Sequence, residues 1–208
     1  IKTTNARTAE MVKLTENSYR DINIAFANEI SILSENLDID SRELIDLCNY
    51  HPRVNILSPG IGVGGHCLAI DPWFLVAENH SLTNLIQTAR RTNLKKTDWV
   101  AEKICEFINN SINLNENITI GCLGLTYKPN VDDIRESPSL AIIEKLKELK
   151  FSIMLCEPNI NHLDDSQLFN IDEVIEKSNL IVYLVAHDCF RNLNTKNKYV
   201  LDFCGATI

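Results

Sequence analysis

An α/β fold in two parts, an all-helical stretch followed by a doubly wound parallel sheet, is predicted by three features of the sequence. Residues 1–95 carry apolar side chains at helical spacing. Residues 96–208 alternate short apolar runs with helical patterns, the signature of parallel strands joined by crossover helices. Within the first part, the turn-rich stretch from Pro59 to Asp71 holds four of the seven glycines, then a histidine, a cysteine and a carboxylate within six residues.

The first part reads as successive helices. From Thr8 to Asn36, the residues Met11, Leu14, Ile22, Phe26, Ile30 and Leu33 recur at helical steps with no Gly or Pro between them. At 1.5 Å per residue such a helix is about 40 Å long, more than a small domain needs, so one end is expected to pack against another domain or subunit. Asp40 or Ser41 caps a second helix through Cys48, with Glu43 completing a capping-box pattern. His51-Pro52-Arg53 breaks the pattern, because proline disfavours helix at the residue before it. Asp71-Pro72 reads as an N-cap followed by proline at the first helical position, and Trp73, Phe74, Leu75 and Val76 carry that helix into a core. Two further helices are expected, over Leu82–Thr92 and Thr97–Ser111.

In the second part, strands are expected at Ile118–Leu125, Ser152–Cys156, Leu180–Val185 and Tyr199–Phe203, with helices at Ser139–Leu149 and Ile171–Lys177. This is a Rossmann-like alternation, and such sheets bind ligands beyond the carboxyl ends of their strands. The segments leaving those ends are Thr126–Asn130, Glu157-Pro158-Asn159 and Ala186-His187-Asp188. Lys128, in the first of them, suits a phosphate, although a surface lysine reads the same way. Gly121 and Gly124 do not complete a Gly-x-Gly-x-x-Gly fingerprint, so no dinucleotide cradle is expected there.

Bulk properties narrow the function classes. A net charge of −8 argues against general nucleic-acid or anionic-membrane binding and leaves room for a local basic pocket taking one phosphorylated ligand. No apolar run approaches the roughly 20 residues that span a bilayer. Seven widely spaced cysteines, an odd number without a Cys-x-x-Cys pair, do not form a disulfide framework or a zinc ribbon, and the reducing cytoplasm is the expected setting. Ile1 to Arg7 lack the apolar core of a signal peptide, and a chain starting at Ile1 instead of Met reads as part of something longer.

The chemistry centres on Cys67. A thiol titrates near about 8.5, so a nucleophilic cysteine needs a nearby cation or helix N-terminus. Lys13 and the helix starting at Pro72 would supply both if the fold brings them together. Lys13 and Asn17, four residues apart, share a helix face and would hold the oxyanion formed when a carbonyl is attacked. Asp71 would position or deprotonate a water that clears a thioester. The bland alternatives are a small buried cysteine, a solvated lysine and a carboxylate that only caps. A metal reading of His51, His66 and Cys67 lacks ligand spacing, so no metal is expected.

Three motifs, Thr8-Ala-Glu-Met-Val-Lys13-Leu-Thr-Glu-Asn17, Gly62-Val-Gly-Gly-His-Cys67-Leu-Ala-Ile-Asp71-Pro and Gly124-Leu-Thr-Tyr-Lys128-Pro-Asn-Val-Asp-Asp-Ile-Arg135-Glu-Ser-Pro, together resemble the UDP-glucose/GDP-mannose dehydrogenase family. They occur in the family's order and cover nearly the whole chain. The Asp71-Pro-Trp-Phe wording is most similar to the bacterial branch acting on UDP-N-acetylmannosamine. The resemblance implies an NAD-dependent, four-electron oxidation of a nucleotide sugar's primary alcohol to a uronic acid through a cysteine thiohemiacetal and thioester. It also implies cytoplasmic synthesis of surface polysaccharide.

Carried over by position, Cys67 is the nucleophile, Lys13 and Asn17 steady the oxyanion and water, and Asp71 assists Lys13 and the water. Lys128 binds the UDP-sugar, Arg135 reaches the NAD, and Gly60, Gly62, Gly64 and Gly65 let backbone approach the substrate. The long helix is implied as the core of a homodimer, with His51 and Arg53 reaching a partner's substrate site. Residues 1–95 would then be a central dimerisation domain and residues 96–208 a UDP-sugar-binding domain. The family's N-terminal NAD domain has no counterpart in these residues, so the chain alone is expected not to oxidise a sugar. Two other readings remain: a non-catalytic UDP-sugar-binding or dimerisation module, and an unrelated cysteine acyl transferase or hydrolase. Within the family reading, UDP-glucose and UDP-N-acetylglucosamine remain alternative substrates.

Overall fold

A computed structural model describes residues 4–111, 118–164 and 166–207, and the chain divides into two compact units, residues 1–96 and 97–208. The first unit is all-helical. Helix α1 runs from Ala6 to Asn36, α2 from Ser41 to Asn49 and α3 from Asp71 to Glu78, and a 3₁₀ turn at His80–Leu82 precedes α4 (Asn84–Ser111). Asn5 caps α1 by accepting the N–H of Thr8 at 2.8 Å, and Asp40, not Ser41, caps α2 through the N–H groups of Arg42 and Glu43.

Two expectations are corrected here. Leu82–Thr92 and Thr97–Ser111 do not form separate helices; α4 is continuous from Asn84 to Ser111. The polar stretch Asn93–Lys96, which interrupts the apolar pattern, stays helical because its side chains are hydrogen-bonded to α1. Nor is Asp71 an N-cap: Ile70 occupies that position, Asp71 is already helical, and its side chain is engaged elsewhere.

The buried face of α1 is polar. Asn17, Ser18, Asp21, Asn28, Ser31 and Ser34 are buried, while Met11, Val12, Tyr19, Phe26 and Leu33 are exposed. Within the first unit, α4 answers that face group by group. Arg90 Nη1 donates to Asp21 Oδ1 at 2.6 Å, Asn93 Nδ2 donates to the same oxygen at 2.8 Å, and Lys96 Nζ donates to Ser31 Oγ at 2.9 Å. Burial raises the Asp21 carboxyl above its ordinary value, an effect the Arg90 guanidinium only partly offsets.

The second unit is a four-stranded parallel sheet, β1 (Thr119–Leu123), β2 (Ser152–Cys156), β3 (Leu180–Tyr183) and β4 (Tyr199–Asp202), in the order β2-β1-β3-β4. Helix α5 (Pro138–Glu148) joins β1 to β2, and α6 (Ile171–Lys177) leads from β2 to β3. The direction of winding reverses between β1 and β3, so the crevice for ligands opens beyond their carboxyl ends. Gly121 in β1 lets α6 sit close: an added Cβ would meet Val174 Cγ1 at 2.5 Å. Leu123, Cys156, Val174, Ile181, Tyr183 and Phe190 pack together as a core on this sheet. The later part of α4 is tied to β4 by edge-to-face contacts of Trp99 with Phe203 and of Phe107 with Tyr199.

Candidate active site

In the first unit, the end of the glycine-rich stretch folds into a tight turn that delivers Cys67 to the start of α3. Gly65 adopts φ +86°, a left-handed conformation suited to glycine, immediately before His66 and Cys67. The Cys67 carbonyl accepts the N–H groups of Ile70 at 3.1 Å and Asp71 at 2.8 Å, so the cysteine and the carboxylate lie on one turn. Cys67 is half-buried and unbridged. Burial pushes the Cys122 and Cys156 thiols up to about 12, far from the thiolate form a nucleophile needs.

Helix α3 packs along α1, and that contact joins three of the expected site residues. Asn17 Nδ2 donates to Asp71 Oδ2 at 2.5 Å, and Lys13 Nζ donates to Asn17 Oδ1 at 3.4 Å. The cation, amide and carboxylate therefore form one chain, with buried Asn17 oriented from both sides. This arrangement can present an ammonium and an amide to an oxyanion and a carboxylate to a water. The glycine run is held to the same helix, since the Gly60 N–H donates to Asn28 Oδ1 at 2.8 Å. His51 and Arg53 stand apart on an exposed turn, where His51 Nδ1 accepts the Arg53 N–H at 3.3 Å.

The second unit carries Lys128 and Arg135 on the long turn after β1. Lys128 is exposed, its ammonium lies 5.5 Å from the Tyr127 ring centroid, and among the described residues it pairs with no carboxylate. Arg135 is forked onto Asp133, with Nε to Oδ1 at 2.9 Å and Nη2 to Oδ2 at 2.6 Å. The turn after β1 offers a dinucleotide no glycine cradle. A Cβ on Gly121 would strike α6, and one on Gly124 would meet the Val185 backbone N at 2.8 Å, so protein atoms already fill both places.

Residues that sequence reasoning did not single out shape both units. Asn28, Asn93, Asp21 and Arg90 are buried and linked: Asn28 Nδ2 donates to Asn93 Oδ1 at 2.9 Å, and Asn93 Nδ2 continues to Asp21. The available signal was the polar stripe Asn17, Asp21, Asn28, Ser31, which repeats at helical spacing. In the second unit, Glu157 and His187 are both buried and tie the three strand exits together. Glu157 Oε2 accepts the N–H groups of Leu125 at 2.7 Å and Thr126 at 3.2 Å and lies 3.0 Å from His187 Nε2. Burial by itself would raise the Glu157 carboxyl, but the His187 and backbone hydrogen bonds outweigh it and hold the group below its ordinary value. Their signal was their position at the ends of apolar strands.

Comparison with known proteins matches both units to one family. The central domain of the UDP-glucose/GDP-mannose dehydrogenase family matches residues 7–95, and its UDP binding domain matches residues 121–207. The chain is 47% identical over 97% of its length to a UDP-N-acetyl-D-mannosamine dehydrogenase of Campylobacter jejuni, and 44% identical over 97% to one from Escherichia coli K12. It covers 50% and 51% of those two proteins, so it spans about half the length of the curated relatives it matches. Among solved structures, a UDP-D-ManNAc dehydrogenase from Pyrococcus horikoshii superposes with a TM-score of 0.88 at 36% identity, over 99% of this chain and 50% of that one. A UDP-N-acetyl-mannosamine dehydrogenase from Staphylococcus aureus gives 0.85 at 38% identity, over 98% and 49%.

Proposed function

The chain belongs to the UDP-glucose/GDP-mannose dehydrogenase family, and on that premise we propose that it is the central and UDP-binding part of an NAD-dependent nucleotide-sugar 6-dehydrogenase. The proposed substrate is UDP-N-acetylmannosamine and the product UDP-N-acetylmannosaminuronic acid, made in the cytoplasm for surface polysaccharide. The names of the relatives support the sugar. The observation that carries the chemistry is the Lys13–Asn17–Asp71 chain beside the turn that holds Cys67.

The residues of this chain perform the carbonyl steps. Cys67 Sγ adds to the sugar aldehyde, a C–S bond forms, and the thiol proton passes to the aldehyde oxygen, which Lys13 and Asn17 would stabilise. NAD would supply the two-electron acceptor for each oxidation, alcohol to aldehyde and thiohemiacetal to thioester. A water that loses its proton to Asp71 then adds to the thioester carbonyl. The C–S bond then breaks, returning the thiol and releasing the acid. Lys128 takes the nucleotide's phosphate or the sugar, and backbone at Gly60, Gly62, Gly64 and Gly65 lies against the substrate. NAD's pyrophosphate does not fit the filled turn after β1, so its proposed contact with these residues is limited to Arg135, which would have to part from Asp133.

A homodimer is part of the same reading. The exposed apolar residues Met11, Tyr19, Phe26 and Leu33 of α1 would be covered by a second copy, and His51 and Arg53 would reach the partner's substrate. Sedimentation of the chain as a monomer at micromolar concentration would contradict this.

The central test uses the full-length enzyme. Cys67→Ser is expected to abolish uronic acid formation while leaving UDP-sugar affinity within about twofold, and unchanged turnover would remove the nucleophile assignment. Calorimetric titration with UDP-N-acetylmannosamine, UDP-glucose and UDP-N-acetylglucosamine ranks the sugars, and a preference for either of the latter two would overturn the substrate.

A further inference from the structure

We propose that His187 is a positioning residue whose neutral imidazole holds the Lys128 turn in the shape that receives a nucleotide diphosphate; this rests on the UDP-sugar reading of the second unit. His187 is fully buried at the exit of β3, across the winding reversal from β1. Its Nδ1 lies 2.9 Å from the backbone N of Asn130 and 3.0 Å from the amide Nδ2 of Asn159. Both neighbours are donors, so Nδ1 must be a bare acceptor. The ring proton is therefore on Nε2, where Glu157 Oε2 accepts at 3.0 Å and Thr126 Oγ1 lies at 3.3 Å. Thr126 Oγ1 donates in turn to the Lys128 carbonyl at 3.0 Å.

Lys128 is thus bracketed. One side is fixed through the Thr126 hydroxyl and the other through the Asn130 N–H, and both fixings converge on one imidazole. The bracket also fixes the turn where Asn130 has φ +58°, a left-handed conformation that asparagine tolerates better than most residues with a side chain. Asn130 and Asp188 add a reciprocal pair, with Nδ2 to Oδ2 at 2.8 Å and Asp188 N to Oδ1 at 3.1 Å. The Lys128 ammonium itself is left free of carboxylates among the described residues, as a phosphate site requires.

The two ring nitrogens have separable duties, and two substitutions divide them. In His187→Asn the amide oxygen can take the place of Nδ1 and accept the Asn130 N–H; Glu157 loses its donor, but the Thr126 hydroxyl keeps its own bond to the Lys128 carbonyl. In His187→Gln the longer amide can still donate to Glu157, but the Asn130 N–H loses its acceptor. Measured by calorimetry with UDP on this chain, His187→Gln is expected to weaken UDP binding about tenfold or more, the loss of one well-placed hydrogen bond. His187→Asn is expected to stay within about threefold, while its melting temperature falls further than that of His187→Gln.

A merely structural histidine would lower affinity and melting temperature in step in both variants, and that outcome would overturn the proposal. Normal UDP affinity in His187→Gln would overturn it as well. Should neither variant fold, nitrogen-15 shifts of His187 in the unmodified chain decide. A proton on Nε2 with a protected Asn130 amide is expected, and a proton on Nδ1 at neutral pH would exclude the bracket. Failure of the unmodified chain to bind UDP would instead remove the nucleotide reading beneath it, a result distinguishable from both variant outcomes.

Discussion

The side-chain oxygen of Asn28, on α1, accepts the backbone N–H of Gly60 at 2.8 Å, so the glycine run leading to Cys67 is moored to the helix that carries Lys13 and Asn17. Asn28 is itself oriented by donating to Asn93, which donates to Asp21. Asn28→Ala leaves both the Gly60 N–H and the Asn93 oxygen without their partner. A buried group left in that state, as the Asn93 oxygen would be, costs about 1–3 kcal/mol, and the half-buried Gly60 N–H adds a smaller loss. A loss of about 2–4 kcal/mol is expected in urea unfolding, with slower turnover in the intact enzyme. A stability change under about 0.5 kcal/mol would show that the mooring is dispensable.

Asp71 is predicted to act through its charge. Asp71→Asn keeps an oxygen for the Asn17 amide to donate to, so packing should survive and the melting temperature should move little. A general base contributes about 10²–10⁴ in rate, so acid formation should fall at least about a hundredfold. Turnover within about threefold of the parent would return Asp71 to a purely structural role.

How far the sequence could be read depended on whether a pattern or a partner decides the structure. The runs Ser152–Cys156 and Ile171–Lys177 form the expected strand and helix to the residue, because apolar burial and a capping Asn170 set their limits locally. The break expected near Asn93 failed for a non-local reason. Asn93 and Lys96 interrupt the apolar pattern, but Asp21, Asn28 and Ser31 bond them from a helix more than sixty residues earlier in the chain. Asp71 misled similarly: Asp-Pro reads as a cap, but Asn17 claims the carboxylate. Cys67, Lys13 and Asn17 stood out through their motifs, while Asn28, Glu157 and His187 did not, because a buried polar side chain cannot be told from a surface one without its partners.

Two glycines that look alike in sequence should respond differently to alanine. Gly124 has φ +92°, and a Cβ there would meet the Val185 backbone N at 2.8 Å, so Gly124→Ala combines strain with a clash. A destabilisation of about 3 kcal/mol or more is expected, seen as loss of the folded second unit. At Gly60 a Cβ would meet nothing closer than the Gly62 carbonyl oxygen at 3.9 Å. Gly60→Ala should therefore change stability by less than about 1 kcal/mol and reveal its effect in UDP-sugar affinity. Equal stability losses at the two sites would refute the distinction.

Lys96 makes the first unit's stability rise toward alkaline pH. Its ammonium is buried and donates to Ser31 Oγ at 2.9 Å; burial lowers its pKa to about 8, and the charge of Glu35 only partly opposes this. An unfolded lysine keeps its proton to about 10.4. Between about pH 8 and pH 10 the unfolded chain thus binds more protons than the folded one, and folding gains stability as pH rises. Below that window the folded state carries the cost of a buried charge, on the order of 3 kcal/mol. Lys96→Met removes the charge at similar volume, and Ser31 still donates to the Asn28 carbonyl. The variant should therefore be more stable than the parent at pH 7 by about 1–3 kcal/mol. Urea melts at pH 7, 8, 9 and 10 should show that advantage shrinking steadily as Lys96 in the parent sheds its proton. The difference between variant and parent cancels the other groups that titrate in this range, so an advantage independent of pH would mean that Lys96 stays charged throughout.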